Sequence, residues 1–400
     1  MTNRFKIAYL VSHPIQYQSP LLRLIAAQPD IDLTALFLSD LSVRSYVDPG
    51  FKTAVTWDVP LLDGYEHRFL PALGKTYPLS RIKPLTYGIG KALRDGGYDV
   101  LWMHGYSHHA NLRALLAAKS LGMKVFVRGD MKMVDTLPQS ASTIAKAVAL
   151  RTLYKRIDAF LAIGTLNREY YLHYGAPPER IFSVPFAVDN EFFQAHVADA
   201  SKTREDLRLE LGLEADRPVI LYAGKLMRLK RVGEIIRAYA QLSPDGSTEP
   251  RPYLLLVGDG EQRQDIEALI DRYGWGSIKI LGFKNQTELP RFFDLCDVFV
   301  MISEADRWGL VINEVMNAGK PIIISDGCGA APDLVQQGVN GFVVRVGDVN
   351  AVSEHLRYLC ENPENAREMG TRSREIIDKW SFTEDIEGLR AALNATIRQD

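Results

Sequence analysis

The feature that most constrains this chain is a repeated pattern of short, continuous apolar runs separated by helix-length segments. Lys6-Ile-Ala-Tyr-Leu-Val11 and Val100-Leu-Trp-Met103 are apolar at successive positions, and helical spacing follows from about Asn111 to Ser120. A strand that is apolar on both faces must be covered on both faces, as in a parallel sheet flanked by crossover helices. The expected class is therefore α/β. Further strands are expected at 124–127, 159–163 and 181–184, after which residues from about 194 to 217 turn polar and charge-rich. Pro218 then opens a second series, with strands expected at 219–223, 253–257, 278–281, 298–301 and 321–324.

Two such series fit the length, since 400 residues suit two domains better than one core. The expected division is one Rossmann-like domain at 1–195, a second Rossmann-like domain at 196–379, and a last helix at 380–400 that crosses back onto the first domain. Ligands of open α/β sheets sit outside the carboxyl ends of the strands, so two such domains facing each other create a cleft lined by both sets of loops. The net charge of -2 conceals an asymmetry: residues 1–195 carry 22 Lys+Arg and 16 Asp+Glu, and subtraction from 47 and 49 leaves 25 and 33 beyond, so the halves are +6 and -8. A basic first half suits an anionic acceptor or a membrane surface, or is a solvated surface that happens to be basic.

Cys296, Cys328 and Cys360 are odd in number and lack CxxC spacing, which argues against a disulfide framework or a zinc site. No apolar run approaches the roughly 18–20 residues of a spanning helix, and residues 1–10 contain no signal-peptide core. The expected location is the cytoplasm, with peripheral contact at the inner face of the membrane as one option.

Two segments of the second half carry chemistry. In Tyr222-Ala-Gly-Lys-Leu-Met-Arg-Leu-Lys230, Gly224 permits a tight turn after a strand, and Lys225 and Lys230 place two cations at its carboxyl end, where a diphosphate would be neutralised. In Ser303-Glu-Ala-Asp-Arg-Trp-Gly-Leu-Val-Ile-Asn-Glu314, two carboxylates lie eight positions apart across the expected start of a helix. Asp306 in the loop would accept from sugar hydroxyls, Glu314 about two turns into the helix would reach a ribose, and the amides near Trp308, Gly309 and Leu310 would face phosphate. Each feature alone also fits solvated lysines, a helix-dipole acid and a surface glutamate.

Taken in order, these residues resemble the retaining glycosyltransferases of family 4, which have the GT-B fold. The resemblance runs through Gly224-Lys225-Leu226 with Lys230, Leu255-Leu-Val-Gly-Asp-Gly260, Leu281-Gly-Phe283, Cys296-Asp-Val-Phe-Val-Met-Ile-Ser303, the Asn313-Glu314 helix and Gly319-Lys-Pro-Ile322. Ile181-Phe-Ser-Val-Pro-Phe-Ala-Val-Asp-Asn-Glu-Phe192 resembles the family's strand before the interdomain linker. It implies that the 196–379 domain binds the nucleotide-sugar donor and the 1–195 domain is the acceptor side, with Lys225 and Lys230 on the diphosphate, Asp306 on the transferred sugar, Glu314 on the ribose and Phe283 beside the donor; Gly258 and Gly282 let the chain approach a nucleobase or are simple tight turns. Two departures stand out: Lys225 replaces the usual Arg, a point charge for a bidentate fork, and Asp306 is one methylene shorter than the usual Glu. Leu256-Val-Gly258-Asp-Gly260 also resembles the start of a dinucleotide fingerprint, but Arg263 stands at the third glycine's position, which argues against an NAD enzyme.

The first half has Ser12-His-Pro-Ile-Gln-Tyr-Gln18 where many relatives have a glycine-rich loop, so His13, Gln16 and Tyr17 are acceptor-side candidates or simple loop packing. Relatives often carry a histidine near the strand that here reads Val125-Phe-Val-Arg-Gly-Asp130; His104 or Arg128 would take its catalytic place, or Arg128 is a buried cation paired with Asp130. The run Ser107-His108-His109 hints at metal only weakly, and neither metal nor cofactor is expected. The implied activity is transfer of a hexosyl or related sugar from a nucleotide diphosphate, with retention, to a glycan or lipid-linked acceptor in polysaccharide or glycoconjugate synthesis. No nucleic-acid partner is expected. A nucleotide-sugar epimerase and a catalytically silent sugar-nucleotide binder are the rival readings. The stretch Lys75-Thr-Tyr-Pro-Leu-Ser-Arg-Ile-Lys-Pro84, with Lys91 and Arg94, interleaves cations and apolar groups as a membrane-edge surface or a solvated basic loop would.

Overall fold

A computed structural model describes residues 4–133, 141–243, 249 and 251–397. The strands of the first half are β1 (Phe5–Val11), β2 (Ile31–Phe37), β3 (Tyr46–Val47), β4 (Ala54–Val55), β5 (Glu66–Phe69), β6 (Ala72–Leu73), β7 (Leu85–Thr86), β8 (Val100–His104), β9 (Lys124–Arg128), β10 (Ala159–Ala162) and β11 (Ile181–Ser183). Those of the second half are β12 (Val219–Ala223), β13 (Tyr253–Val257), β14 (Ile278–Gly282), β15 (Val298–Met301), β16 (Ile322–Ser325) and β17 (Gly341–Val344).

The chain forms two units. One comprises Met1–Ser45, Pro60–Ala187 and Phe382–Asp400; the other comprises Tyr46–Val59 and Val188–Ser381. These ranges differ from a division at 195 in that a short segment of the first half, the β3–β4 hairpin, belongs to the second unit. The polar stretch near 194–217 is also built rather than irregular, with helices Asn190–Ser201 and Arg204–Glu210.

The first unit holds a seven-stranded sheet in the order β11-β10-β9-β8-β1-β2-β5, and the second a six-stranded sheet in the order β14-β13-β12-β15-β16-β17. The pairings are parallel, with Ile7 beside Leu33 and Val100, and Ile220 beside Leu254 and Val298. Burial explains the apolar runs: every residue of β12, β13 and β15 is buried, as is every residue of β1 except Lys6. Helices such as His109–Ser120 and Val232–Ala240 turn their apolar stripes onto these strands, adding Ala114, Leu115, Ile235 and Ile236 to the two cores.

Strand order also locates the crevices. In the second sheet the chain runs outward from β12 to β14, then returns to place β15 on the other side of β12; in the first, β1 lies between β2 and β8. At such a switch point the loops leaving adjacent strands diverge and open a crevice at the carboxyl edge. The loops after β12 and β15, and after β1 and β8, carry most of the sequence-identified residues; Gly258, Gly282, Phe283 and Arg128 lie at the carboxyl ends of β13, β14 and β9.

Candidate functional site

In the second unit the loop after β12 carries Gly224, Lys225 and Lys230, and the loop after β15 carries Asp306. The two meet: Lys230 Nζ forms an ion pair with Asp306 Oδ2. Lys225 Nζ is 2.9 Å from Asp48 Oδ1 and lies 4.8 Å from the centre of the Phe51 ring. Asp48 and Phe51 belong to the β3–β4 hairpin, and Phe51 packs edge-on against Phe283 with ring centres 4.8 Å apart. The hairpin is further tied by Asn285 Nδ2 donating to the Thr56 carbonyl at 2.6 Å. Burial raises the Asp48 carboxyl, but hydrogen bonds from Lys225 and from the Phe51 and Gly50 amides prevail and hold it below its ordinary value. Both sequence-identified lysines thus carry a carboxylate partner, leaving the four side chains neutral in sum.

The glycines serve backbone packing. A Cβ on Gly258 would lie 1.9 Å from the Gly224 carbonyl oxygen, and Gly258 N donates to the Gly282 carbonyl at 2.8 Å, so Gly224, Gly258 and Gly282 bring three loops together at the carboxyl edge. Of the two sequence readings of Gly258, contact with a base or a tight turn, close backbone approach accounts for its lack of a side chain.

The loop after β15 turns at Gly309 (φ +96), where a Cβ would collide with Met301, and the helix spans Val311–Met316 with Leu310 as its N-cap. Glu314 therefore stands in the first turn, a correction to the expectation of two turns inside: the left-handed Gly309 delays the helix start. Burial pushes its carboxyl up to about 7. Trp308 is buried, donates from Nε1 to Asn313 Oδ1 at 2.8 Å and stacks on Trp380 at 5.7 Å, so its ring braces the loop. Glu304 lies 3.0 Å from Arg231 and is about half exposed, whereas the Asp306 side chain is 19 % exposed.

In the first unit, His104 at the end of β8 sits in a polar network. Tyr9 Oη lies 3.3 Å from His104 Nδ1 and donates to Gln18 Oε1 at 2.7 Å, and Gln18 Nε2 lies 3.1 Å from the same Nδ1. Burial, reinforced by Arg128, lowers His104 to about 4, so the imidazole is neutral at pH 7 and available to exchange a proton. His13, bonded to Ser12 Oγ at 2.8 Å, is lowered by burial to about 4 as well. Tyr17 packs edge-on against Phe186 at 5.2 Å and burial raises its phenol; Gln16 stands in the same loop, partly exposed. Gln18 and Tyr9 were not singled out by sequence, although a tyrosine inside a strand buried on both faces is a polar tip in need of a partner.

Of the two sequence readings of Arg128, reacting group or buried structural cation, its surroundings favour the second. It is 2 % exposed, and Nη2 donates to the carbonyls of Val184 and Pro185 at 3.3 and 2.6 Å and to Asp385 Oδ2 at 2.8 Å. Its carboxylate partner is thus Asp385, in helix Phe382–Ile397. Burial, opposed by Arg128, raises Asp385 to about 6. His108 caps helix His109–Ser120 by accepting from Ala110 N at 3.1 Å, which gives it a role in the fold.

The fold and the crevice residues define a doubly wound α/β protein with polar clusters at two switch points. Residues 203–376 match the family described as glycosyl transferases group 1. N-acetyl-alpha-D-glucosaminyl L-malate synthase of Bacillus anthracis is 29% identical over 180 residues, covering 45% of this chain and 46% of its own. Alpha-D-kanosaminyltransferase of Streptomyces kanamyceticus is 29% identical over 201 residues, 50% of each chain. The chain spans about half the length of these curated relatives. Its fold is GT-B, shared with the crystal structure of Anabaena HepE in complex with UDP (TM-score 0.72, 18% identity, covering 98% of this chain and 100% of that one). Sucrose-phosphate synthase from Thermosynechococcus elongatus has the same fold (TM-score 0.73, 19% identity, covering 99% and 100%).

Proposed function

We propose that the protein transfers a hexosyl or related sugar from a nucleotide diphosphate to an acceptor hydroxyl with retention of configuration, and that no metal takes part. The observation that carries this reading is the pairing of Lys230 with Asp306 at the β12–β15 switch point, with Lys225 in the same loop as Lys230, inside the stretch that matches the family. Lys225 and Lys230 neutralise the departing diphosphate, Asp306 accepts from the sugar hydroxyls and Glu314 accepts from the ribose. A departing diphosphate gathers charge as the glycosidic bond breaks, so fixed cations aimed at it stabilise the transition state more than the ground state. The leaving oxygen itself takes the acceptor proton, and no side-chain nucleophile is needed. We assign to His104, held neutral in its network with Tyr9 and Gln18, the role of orienting an acceptor hydroxyl.

The test is a donor screen by thermal shift, then incubation of the best donor with and without candidate acceptors. Nucleotide diphosphate released only when acceptor is present supports transfer; isomerised donor means an epimerase, and binding without turnover means a silent binder. EDTA should leave the rate unchanged, and loss of activity restored by magnesium or manganese would refute the metal-free account of leaving-group stabilisation.

The acceptor is proposed to be a glycan or a lipid-linked sugar met at an anionic membrane face. The β6–β7 hairpin exposes Leu73 (68%), Tyr77 (57%) and Ile82 (64%) among exposed Lys75, Arg81 and Lys83, a pairing of apolar and cationic groups that suits acidic lipid headgroups. No helix among the described residues is long and apolar enough to cross a membrane. Flotation with anionic vesicles should show salt-sensitive binding; equal binding to neutral vesicles would count against this surface.

A further inference from the structure

The second unit contains a cavity of about 740 Å³ that the proposed transfer does not use. Pro218, Pro252 and Pro321 line it, each immediately before a strand of the second sheet, so it lies at the amino edge of that sheet. Lys225 and Asp306 follow the carboxyl ends of the same strands. A five-residue strand is about 16 Å long, so the two places are separate sites.

The cavity is strongly cationic, with seven Arg and Lys side chains against four carboxylates. Three of the cations have a carboxylate partner: Arg204 with Asp294, Arg217 with Glu214 and Arg357 with Glu361. Arg208, Arg251, Lys320 and Arg367 have none within 4.0 Å among the described residues. Arg208 is the decisive one. It is 5% exposed, its Nη2 donates to the carbonyls of Glu214 and Arg217 at 2.7 Å each, and its Nε has no partner. Lys320 Nζ donates to the Asp294 carbonyl at 2.8 Å and Arg251 Nη2 to the Asp216 carbonyl at 3.2 Å. Carbonyls satisfy hydrogen bonds without neutralising charge, and a buried guanidinium with neither counter-ion nor a partner for Nε is an arrangement that folds rarely leave uncompensated. Guanidinium groups flanking an open cavity also match phosphate geometry, since each presents paired N–H donors.

We propose that this amino-edge cavity is a second anion site, built for a small molecule that carries two or more phosphate charges and seats them against Arg208, Arg251, Lys320 and Arg367. The inference is independent of the donor site, and the test keeps the two apart. Full-length protein carrying Lys225→Ala and Lys230→Ala, which removes the carboxyl-edge cations, is titrated calorimetrically with inorganic pyrophosphate and, separately, with orthophosphate. Pyrophosphate should bind at least tenfold more tightly than orthophosphate, and its affinity should fall at least tenfold when Arg251→Gln and Arg367→Gln are added. Both arginines are exposed, so the melting temperature of that variant should stay unchanged, and Arg208→Gln offers a further loss of affinity where it folds. Absence of pyrophosphate binding, equal affinity for the two anions, or affinity indifferent to Arg251 and Arg367 would each overturn the proposal.

Discussion

Arg128→Met separates a structural cation from a reacting one. The substitution removes hydrogen bonds to the carbonyls of Val184 and Pro185 and leaves Asp385, which is fully buried, without its counter-charge. Breaking a buried pair by deleting one partner costs about 3–5 kcal/mol. For a unit of this size that is a fall in melting temperature of roughly 6–20 °C. The pH dependence is the sharper readout. In the native protein Asp385 titrates near 6, above its ordinary 3.8, so the folded state binds the extra proton between those values and stability falls as pH rises across that window, levelling above 6. Without Arg128 the folded-state value rises further, so the decline should continue above pH 6 at up to about 1.4 kcal/mol per pH unit. Urea unfolding from pH 5 to 8, followed by far-UV circular dichroism, measures both effects. A variant with native stability, no added slope above pH 6 and abolished transfer would refute the structural assignment.

Two further outcomes follow from the carboxyl-edge geometry. Asp48→Asn removes the carboxylate next to which a diphosphate would lie if it seats on Lys225 as proposed; two unit charges about 6 Å apart near a surface interact by about 3 kcal/mol, and exposure and salt cut this to roughly 1, so the nucleotide diphosphate Kd should fall about fivefold. Weaker binding in that variant would mean that Asp48 positions Lys225 rather than competing for it. Glu314→Gln should weaken nucleotide binding and also flatten part of the stability decline between pH 4.5 and 7, because burial makes the folded state hold the Glu314 proton across that range; an unaltered pH profile would contradict the burial of that carboxyl.

The sheets were legible because strands buried on both faces have little choice but continuous apolar sequence, as in Val219-Ile-Leu-Tyr-Ala223. β2 was harder to see, since Asp32 and Thr34 interrupt its apolar run. The β3–β4 hairpin was not legible at all: its strands have two residues each, and its importance lies in Asp48 meeting Lys225 across 177 positions. The Arg128–Asp385 pair spans 257 positions, so the local sequence offered Asp130 instead. Glu314 was placed in the correct helix but at the wrong depth, because sequence spacing does not reveal that Gly309 adopts a left-handed turn. The loop residues after β12 and β15 were recoverable because a switch point fixes where chemistry collects, even though the carboxylate partners of the lysines came from folding.

The central claim is that Asp306, and not its neighbour Glu304, holds the transferred sugar. Asp306 pairs with Lys230 at the switch point, whereas Glu304 pairs with Arg231 and is about half exposed. A hydrogen bond to a charged group contributes about 1.5–3 kcal/mol, so losing the carboxylate should slow transfer by roughly tenfold to over a hundredfold. The measurement is acceptor-dependent release of nucleotide diphosphate by Asp306→Ala and Glu304→Ala, alongside the affinity of each for the free nucleotide. The account predicts that Asp306→Ala loses transfer while still binding nucleotide and that Glu304→Ala is close to native; transfer abolished by Glu304→Ala and retained by Asp306→Ala would contradict it.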